Sequence, residues 1–276
     1  MEKKLNLILF LFLLLSFSVQ AQQGTIHLFL VTQSGTTTGA EADAGLVKAE
    51  VEMIGQVTNQ AVQIREYDRY DVSVLEDMQN LAAGPDDVIW FHYSGHGGNS
   101  GNGWPQYDAR QGKVVSTSVH ELLSNKSARL TITAFDSCNV GNTSTTWAAR
   151  TLNVPGNQHV LLFKKAKGNI LLSAASDSRF AYGDVNTGGF MTTSLIKALN
   201  SVTVGRSDTA YEVWERVLTM TKDAANEKCS NTGNREQEPK WVNTVSRDRV
   251  QIDVYDTPDE VDRNLPDLLG QKKKNN

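Results

Sequence analysis

Short apolar runs punctuate this chain, separated by polar or glycine-bearing stretches. Ile26–Val31, Val88–Tyr93, Leu130–Phe135 and Ile170–Ala175 are nearly continuous apolar segments of strand length, without the polar alternation of a half-exposed strand. Ala61–Tyr67 does alternate, and Trp241–Val245 reads as a last strand. Between them the period changes. Ala40–Thr58 places Leu46, Val47, Val51, Ile54 and Val57 at helical spacings, and Val72–Ala83, Val119–Ser124, Gly189–Asn200 and Ala210–Asn226 read as further helices. Gly97–Gln111, rich in Gly and Asn, reads as a loop, and so does the polar stretch Glu227–Asn234. Strands and helices that alternate in this way predict an α/β domain: a mostly parallel sheet with helices on both faces.

The N-terminus follows another logic. Met1-Glu-Lys-Lys4 is basic, Leu5–Phe17 is Leu/Phe-rich, and Val19-Gln-Ala21 offers small residues where a signal peptidase reads. This is the pattern of a signal peptide cleaved after Ala21, implying export to the periplasm or beyond. The competing reading is a membrane anchor, but the apolar run is short against the roughly 20 residues of a span, so no stable membrane anchor is expected. The expected organisation is a signal peptide over 1–21, one domain over 24–256 and a polar, flexible tail over 257–276. The formal net charge of −4 gives no electrostatic case for nucleic-acid binding.

Two residues carry the candidate chemistry. His96 lies in Ser94-Gly-His-Gly-Gly98, just beyond the Val88–Tyr93 run. Glycines there let the chain turn sharply, expose the imidazole and admit a substrate backbone. Cys138 lies in Asp136-Ser-Cys-Asn139, just beyond the Leu130–Phe135 run. A structural cysteine behaves as a small hydrophobe and belongs inside such a run, whereas this one stands where the chain leaves the sheet. Two adjacent parallel strands ending in a thiol and an imidazole would place a nucleophile beside its base at the sheet edge where α/β sites form. The chain has 2 cysteines, Cys138 and Cys229, and a single disulfide between them is the alternative. His92 and His96 have the spacing of helical metal ligands but sit on a strand and its turn, so no metal site is expected and His92 is read as core. His27, His120 and His159 have no partner motif and are read as structural or surface residues.

Val88-Ile-Trp-Phe-His-Tyr-Ser-Gly-His-Gly-Gly98 and Phe135-Asp-Ser-Cys138, about 40 residues apart with one intervening helix, resemble the caspase-like cysteine peptidases. Within that group they look like metacaspases and their bacterial relatives. Ser173-Ala-Ala-Ser-Asp177, Gly188-Gly-Phe-Met-Thr-Thr-Ser-Leu195 and Gln237-Glu-Pro239 resemble later segments of the family in the same order. The resemblance implies a caspase-like three-layer sandwich and a thiol endopeptidase. In it His96 is general base and Cys138 nucleophile, with the amides of Gly97 and Cys138 as oxyanion donors. Two alternatives remain: a catalytically silent binding module of the same fold, or a legumain- or gingipain-like peptidase of the same clan.

The resemblance also implies an acidic pocket for the residue before the scissile bond, matched here by Asp136, Ser94 and Asp43. That implies peptide or protein substrates with Arg or Lys at that position. Asp43 is equally readable as an acidic residue favouring its helix N-terminus. Caspases proper carry an Arg in the first-helix region, and no Arg or Lys lies between Val31 and Leu46. The chain departs from the metacaspase pattern in having Ala40 where a Cys is usual. It also has Ser and Thr in Val114–Glu121 where calcium-binding carboxylates are usual. Asp108 alone is no calcium site, and no cofactor is expected. Trp104-Pro105 would line the substrate groove. Lys164, Lys165 and Lys167, in the linker between the Cys138 strand and Ile170, are candidate sites of self-cleavage, because a basic linker would suit an acidic pocket. A solvated approach to the strand is the alternative.

Overall fold

The computed structural model describes residues 24–35, 39–138, 157–233 and 237–249. The expected signal peptide over 1–21, the 257–276 tail and the first part of the linker lie outside them. Among the described residues no helix is long and apolar enough to cross a membrane.

The central sheet is built from β1 (Thr25–Thr32), β2 (Ala61–Asp68), β3 (Val88–Ser94), β7 (Leu130–Asp136), β8 (Gly168–Ser173) and β11 (Lys240–Asn243) in the order β11-β8-β7-β3-β1-β2. Every neighbour pair is parallel except β11 with β8. Every residue of β3 and of β7 is buried, which explains their unbroken apolar runs: both faces of these strands are covered.

Successive side chains go to opposite faces. Ile26, Leu28, Leu30, Trp90 and Ile132 point to one core. That core is shared with α1 (Ala40–Thr58), α5 (Phe190–Ser201), α6 (Ala210–Asn231) and the π-helical stretch Val160–Lys165 that continues the short α4 (Asn157–His159). Phe29, Val31, Ile89, Phe91, Tyr93 and Phe135 point to the other, closed by α2 (Ser73–Asn80) and α3 (Ser116–Ser124). The result is the expected three-layer sandwich.

Three readings change. The Gly97–Gln111 segment is not simply a loop: it contains β4 (Gly98–Asn99) and β5 (Pro105–Ala109), and β5 pairs antiparallel with β4 on one side and with β6 (Gly112–Val115) on the other. Its Gly and Asn residues mark the hairpin turn. Glu227–Asn231 is not a surface loop but the last turns of α6, with Cys229 fully buried on the inner face of a helix whose outer face is polar. The Lys-rich linker is core: Val160, Leu161, Leu162 and Phe163 are fully buried, with Phe163 packed on Trp90 and Trp214 at centroid distances of 5.9 and 5.6 Å.

Candidate active site

Parallel register aligns the strand ends that carry the chemistry. Thr32 pairs with Ser94 across β1 and β3, and Ser94 with Asp136 across β3 and β7. The Gly95 amide then donates to the Asp136 carbonyl at 3.2 Å, extending the ladder one step as both chains leave the sheet. His96 and Cys138 therefore emerge side by side at the carboxyl edge, where open α/β sheets form their sites.

The two turns touch backbone to backbone. A Cβ on Gly97 would come within 2.6 Å of both the Cys138 carbonyl oxygen and the Ser137 hydroxyl, so only glycine allows this approach. His96 is anchored through its main chain: its amide donates to Gln33 Oε1 at 2.8 Å, and its carbonyl accepts the Tyr93 hydroxyl at 2.6 Å. Tyr93 is itself stacked on Tyr107 at 4.2 Å. Burial lowers the His96 pKa, and the Arg69 charge lowers it further. Burial pushes the Cys138 thiol up, with Asp136 acting in the same sense, and the thiol donates to the Ala181 carbonyl at 3.5 Å. At rest the pair is a neutral thiol and a neutral imidazole. Attack on a carbonyl requires the thiol proton to leave Ala181 and pass to a base. Cys138 and Cys229 are not joined in a disulfide, which removes that alternative.

The expected specificity residues converge behind this edge. Asp43 is fully buried on the first turn of α1 and accepts the Ser94 hydroxyl at 2.5 Å and the Gly189 amide at 2.7 Å. Asp136 accepts the amide and hydroxyl of Thr192 at 2.8 and 2.7 Å. Burial, and then the charge of Asp136, raise the Asp43 pKa well above the ordinary value, while burial raises Asp136 to about 6 against the Thr192 bonds. Lys228 of α6 approaches from the far side, donating to Thr193 and lying 6.0 Å from the Phe190 ring, and burial pushes it down to about 8. The hairpin of β9 (Gly183–Asp184) and β10 (Gly188–Gly189) covers the pocket. A Cβ on Gly188 would lie 2.1 Å from Asp43 Oδ1, and one on Gly189 2.0 Å from Asp136 Oδ2.

Several participants were not assigned roles from the sequence. Thr192 lies in the Gly188–Leu195 segment, recognised only as family-like. His92 is core, as read, but its Nε2 lies 3.2 Å from Thr192 Oγ1. Burial drives its pKa down to about 3, so it is neutral, and because Thr192 donates to Asp136, Nε2 must carry the hydrogen. Gln33, Arg69 and Lys228 had no pattern to announce them. The other histidines are structural: His27 meets Asp87 at 3.3 Å, His120 meets Thr133 at 3.1 Å and His159 meets Glu50 at 3.4 Å. Trp104 sits under the Lys240 ammonium, 4.0 Å from ring centre to nitrogen. Asp108 is exposed on β5, and among the described residues no cluster of three His, Cys, Asp or Glu side chains could hold a metal ion.

The proposed cleavage points fare differently. The bonds after Lys164 and Lys165 end the π-helical stretch, where the Ala166 amide donates to the Leu161 carbonyl at 3.0 Å. Lys167 is exposed, but its carbonyl accepts the Ser246 amide at 2.7 Å and the next amide, of Gly168, donates to Arg129 at 2.9 Å. A peptidase reads extended, unpaired backbone, and none of these bonds offers it. The backbone around these lysines is thus hydrogen-bonded, with Lys167 exposed and Lys164 and Lys165 half-buried.

The comparisons with known proteins decide the family. The Caspase domain family model matches residues 33–250. The chain belongs to the caspase domain family. The fold agrees: caspase-1 from Spodoptera frugiperda superposes with a TM-score of 0.50 at 10% identity, over 80% of this chain and 86% of that one. No curated protein matches. This caspase-family chain is a cysteine-type endopeptidase acting on protein substrates.

Proposed function

We propose that the protein is an exported endopeptidase that cleaves after Arg or Lys through a Cys138–His96 dyad. The observation that carries the specificity is that two buried carboxylates, Asp43 bonded to Ser94 and the Gly189 amide and Asp136 bonded to Thr192, lie close enough to repel each other, with Asp136 two residues from the nucleophile. Two carboxylates raised in pKa by burial are poorly satisfied at rest, and a guanidinium would satisfy both. An Arg side chain reaches them when the Gly188–Gly189 backbone, now against both carboxylates, moves aside. Metacaspase-like character rests on the same residues, and export rests on the Met1–Ala21 pattern.

In this reaction neutral His96 takes the thiol proton as sulfur attacks the carbonyl carbon. The Gly97 and Cys138 amides receive the oxyanion, and His96 returns the proton to the leaving amine. Water then hydrolyses the thioester. The deciding experiment is a panel of fluorogenic peptides differing only before the cleaved bond, with Cys138→Ala as control. Hydrolysis of Arg and Lys peptides with none of the Asp peptide is expected. Efficient hydrolysis of the Asp peptide by the wild type would overturn the specificity, and activity in Cys138→Ala would overturn the nucleophile.

A further inference from the structure

Among the described residues no carboxylate is hydrogen-bonded to His96, yet its main chain is fixed at both ends. Gln33, on the segment leaving β1, accepts the His96 amide at 2.8 Å. The same Oε1 accepts the Arg69 guanidinium at 3.0 Å, so one oxygen links Arg69 to His96. Gln33 is 8% exposed and packs against the Gly95 backbone, directly under the histidine turn. The other end is the Tyr93 hydroxyl on the His96 carbonyl, and the Arg69 charge reaches that hydroxyl too.

Arg69 follows β2, the edge strand beside β1. Its hydrogen bonds go to an amide oxygen and to the Tyr70 hydroxyl, and its guanidinium lies 4.3 Å from the Tyr70 ring centre. It is thus a half-buried cation whose hydrogen-bond partners are neutral. The titratable groups around His96 are Tyr93, with Tyr107 and Asp108 of β5 behind it, Asp136 and Cys138 from β7, and Asp68 and Arg69 from β2. Of these charges it is that of Arg69 that disfavours the imidazolium.

We propose that Gln33 and Arg69 are positioning residues for the dyad: Gln33 fixes the His96 turn, and Arg69 locks Gln33 and places its positive charge beside that turn. The inference rests on the reading of His96 as general base. It accounts for a dyad working without a third orienting side chain: orientation comes through the main chain, and the electrostatic bias comes from a cation that favours the neutral base.

The test is the pH profile of kcat at saturating Arg peptide, where the bound cation keeps Asp136 ionised, for the full chain and its Arg69→Gln, Arg69→Lys, Gln33→Glu and His96→Ala variants. Arg69→Gln is expected to lower kcat by about tenfold, since misplacement of a base is costly, and to move the acid limb to higher pH. Arg69→Lys keeps the charge without the planar fork, so the limb should stay while kcat recovers only in part. Gln33→Glu keeps an acceptor for the His96 amide but cancels the Arg69 charge, so kcat at the optimum should survive while the limb moves up. A wild-type limb in both Arg69→Gln and Gln33→Glu overturns the inference, whatever happens to kcat, because a merely structural Arg69 would not set the limb. If Arg69→Gln does not fold, Gln33→Glu and Arg69→Lys decide on the same criteria. Activity in His96→Ala is a separate result that removes the base assignment itself.

Discussion

Thr192 gives both of its hydrogen bonds to one oxygen of Asp136, the amide at 2.8 Å and the hydroxyl at 2.7 Å. Thr192 stands in the first turn of α5, so Asp136 also faces the positive end of that helix. His92 in turn donates to the Thr192 hydroxyl from a fully buried site. The carboxylate is held from behind by a chain of hydrogen bonds that begins in the core.

Thr192→Val removes one bond to an ionised group, an interaction worth about 1.5–3 kcal/mol. For an Arg substrate, KM is expected to rise by roughly ten- to a hundredfold with a smaller change in kcat, and Thr192→Ser to restore most of it. Steady-state kinetics on matched Arg peptides checks this. Equal losses in both variants would mean that the γ-methyl, not the hydroxyl, is what matters.

Asp136 also sets a pH dependence. Burial raises its carboxyl from the ordinary aspartate value of 3.8 to about 6. A cationic substrate binds the ionised form, so kcat/KM for Arg peptides should climb as pH rises through about 6 and level off above it. The effect on stability has the opposite sign. Between 3.8 and about 6 the folded state binds more protons than the unfolded state, so this group's contribution is fully present below 3.8 and is lost as pH rises through about 6. Asp136→Asn is therefore expected to abolish Arg cleavage yet raise the melting temperature at pH 8 by about 2–4 °C, the shift that about 1 kcal/mol gives in a domain of this size. Calorimetry at pH 5 and pH 8 measures it, and a melting temperature lowered at pH 8 would contradict the assignment.

Gly97 is the point where the two turns meet. Gly97→Ala would push a methyl into the Cys138 carbonyl at 2.6 Å, and backbone cannot yield as a flexible side chain does. Because the displaced groups carry the nucleophile and an oxyanion donor, kcat should fall by roughly 10²–10³. Melting temperature should fall as well, because the clash is with the Cys138 backbone and with Ser137, both buried. Full activity in Gly97→Ala would show that the turns are not held this close during turnover.

The sheet and the side-by-side placement of His96 and Cys138 were legible because both have local signatures. Val88–Tyr93 and Leu130–Phe135 are apolar on both faces, and the polar residues that stop them must lie at the strand ends. Parallel pairing then aligns His96 with Cys138 without further information. Asp136 and Ser94 were legible for the same reason, being two residues before each. The residues that were not legible act across long sequence separations. Thr192 reaches Asp136 over 56 positions and Gln33 reaches His96 over 63, and neither lies in a pattern with a period. Cys229 was misread as a loop residue because the polar outer face of α6 hides an inner face that only the neighbouring strands and α5 define.

The lysine segment supports the last prediction. Its charges read as a linker, but Val160–Phe163 between them are fully buried and Phe163 packs on two tryptophans. Arg129 donates to the Phe163 carbonyl, and the bond after Lys167 is held by Ser246 on one side and Arg129 on the other. Cutting after Lys164 or Lys165 would require the π-helical stretch to leave the core, exposing Leu161, Leu162 and Phe163 at about 1.5–3 kcal/mol each. The exposed state would be too rare to be cleaved quickly. Intact-mass analysis of wild type and Cys138→Ala after prolonged incubation is expected to show no Cys138-dependent fragment ending at Lys164, Lys165 or Lys167. Such a fragment, appearing as activity appears, would show that the segment opens in solution and that its lysines are processing sites after all.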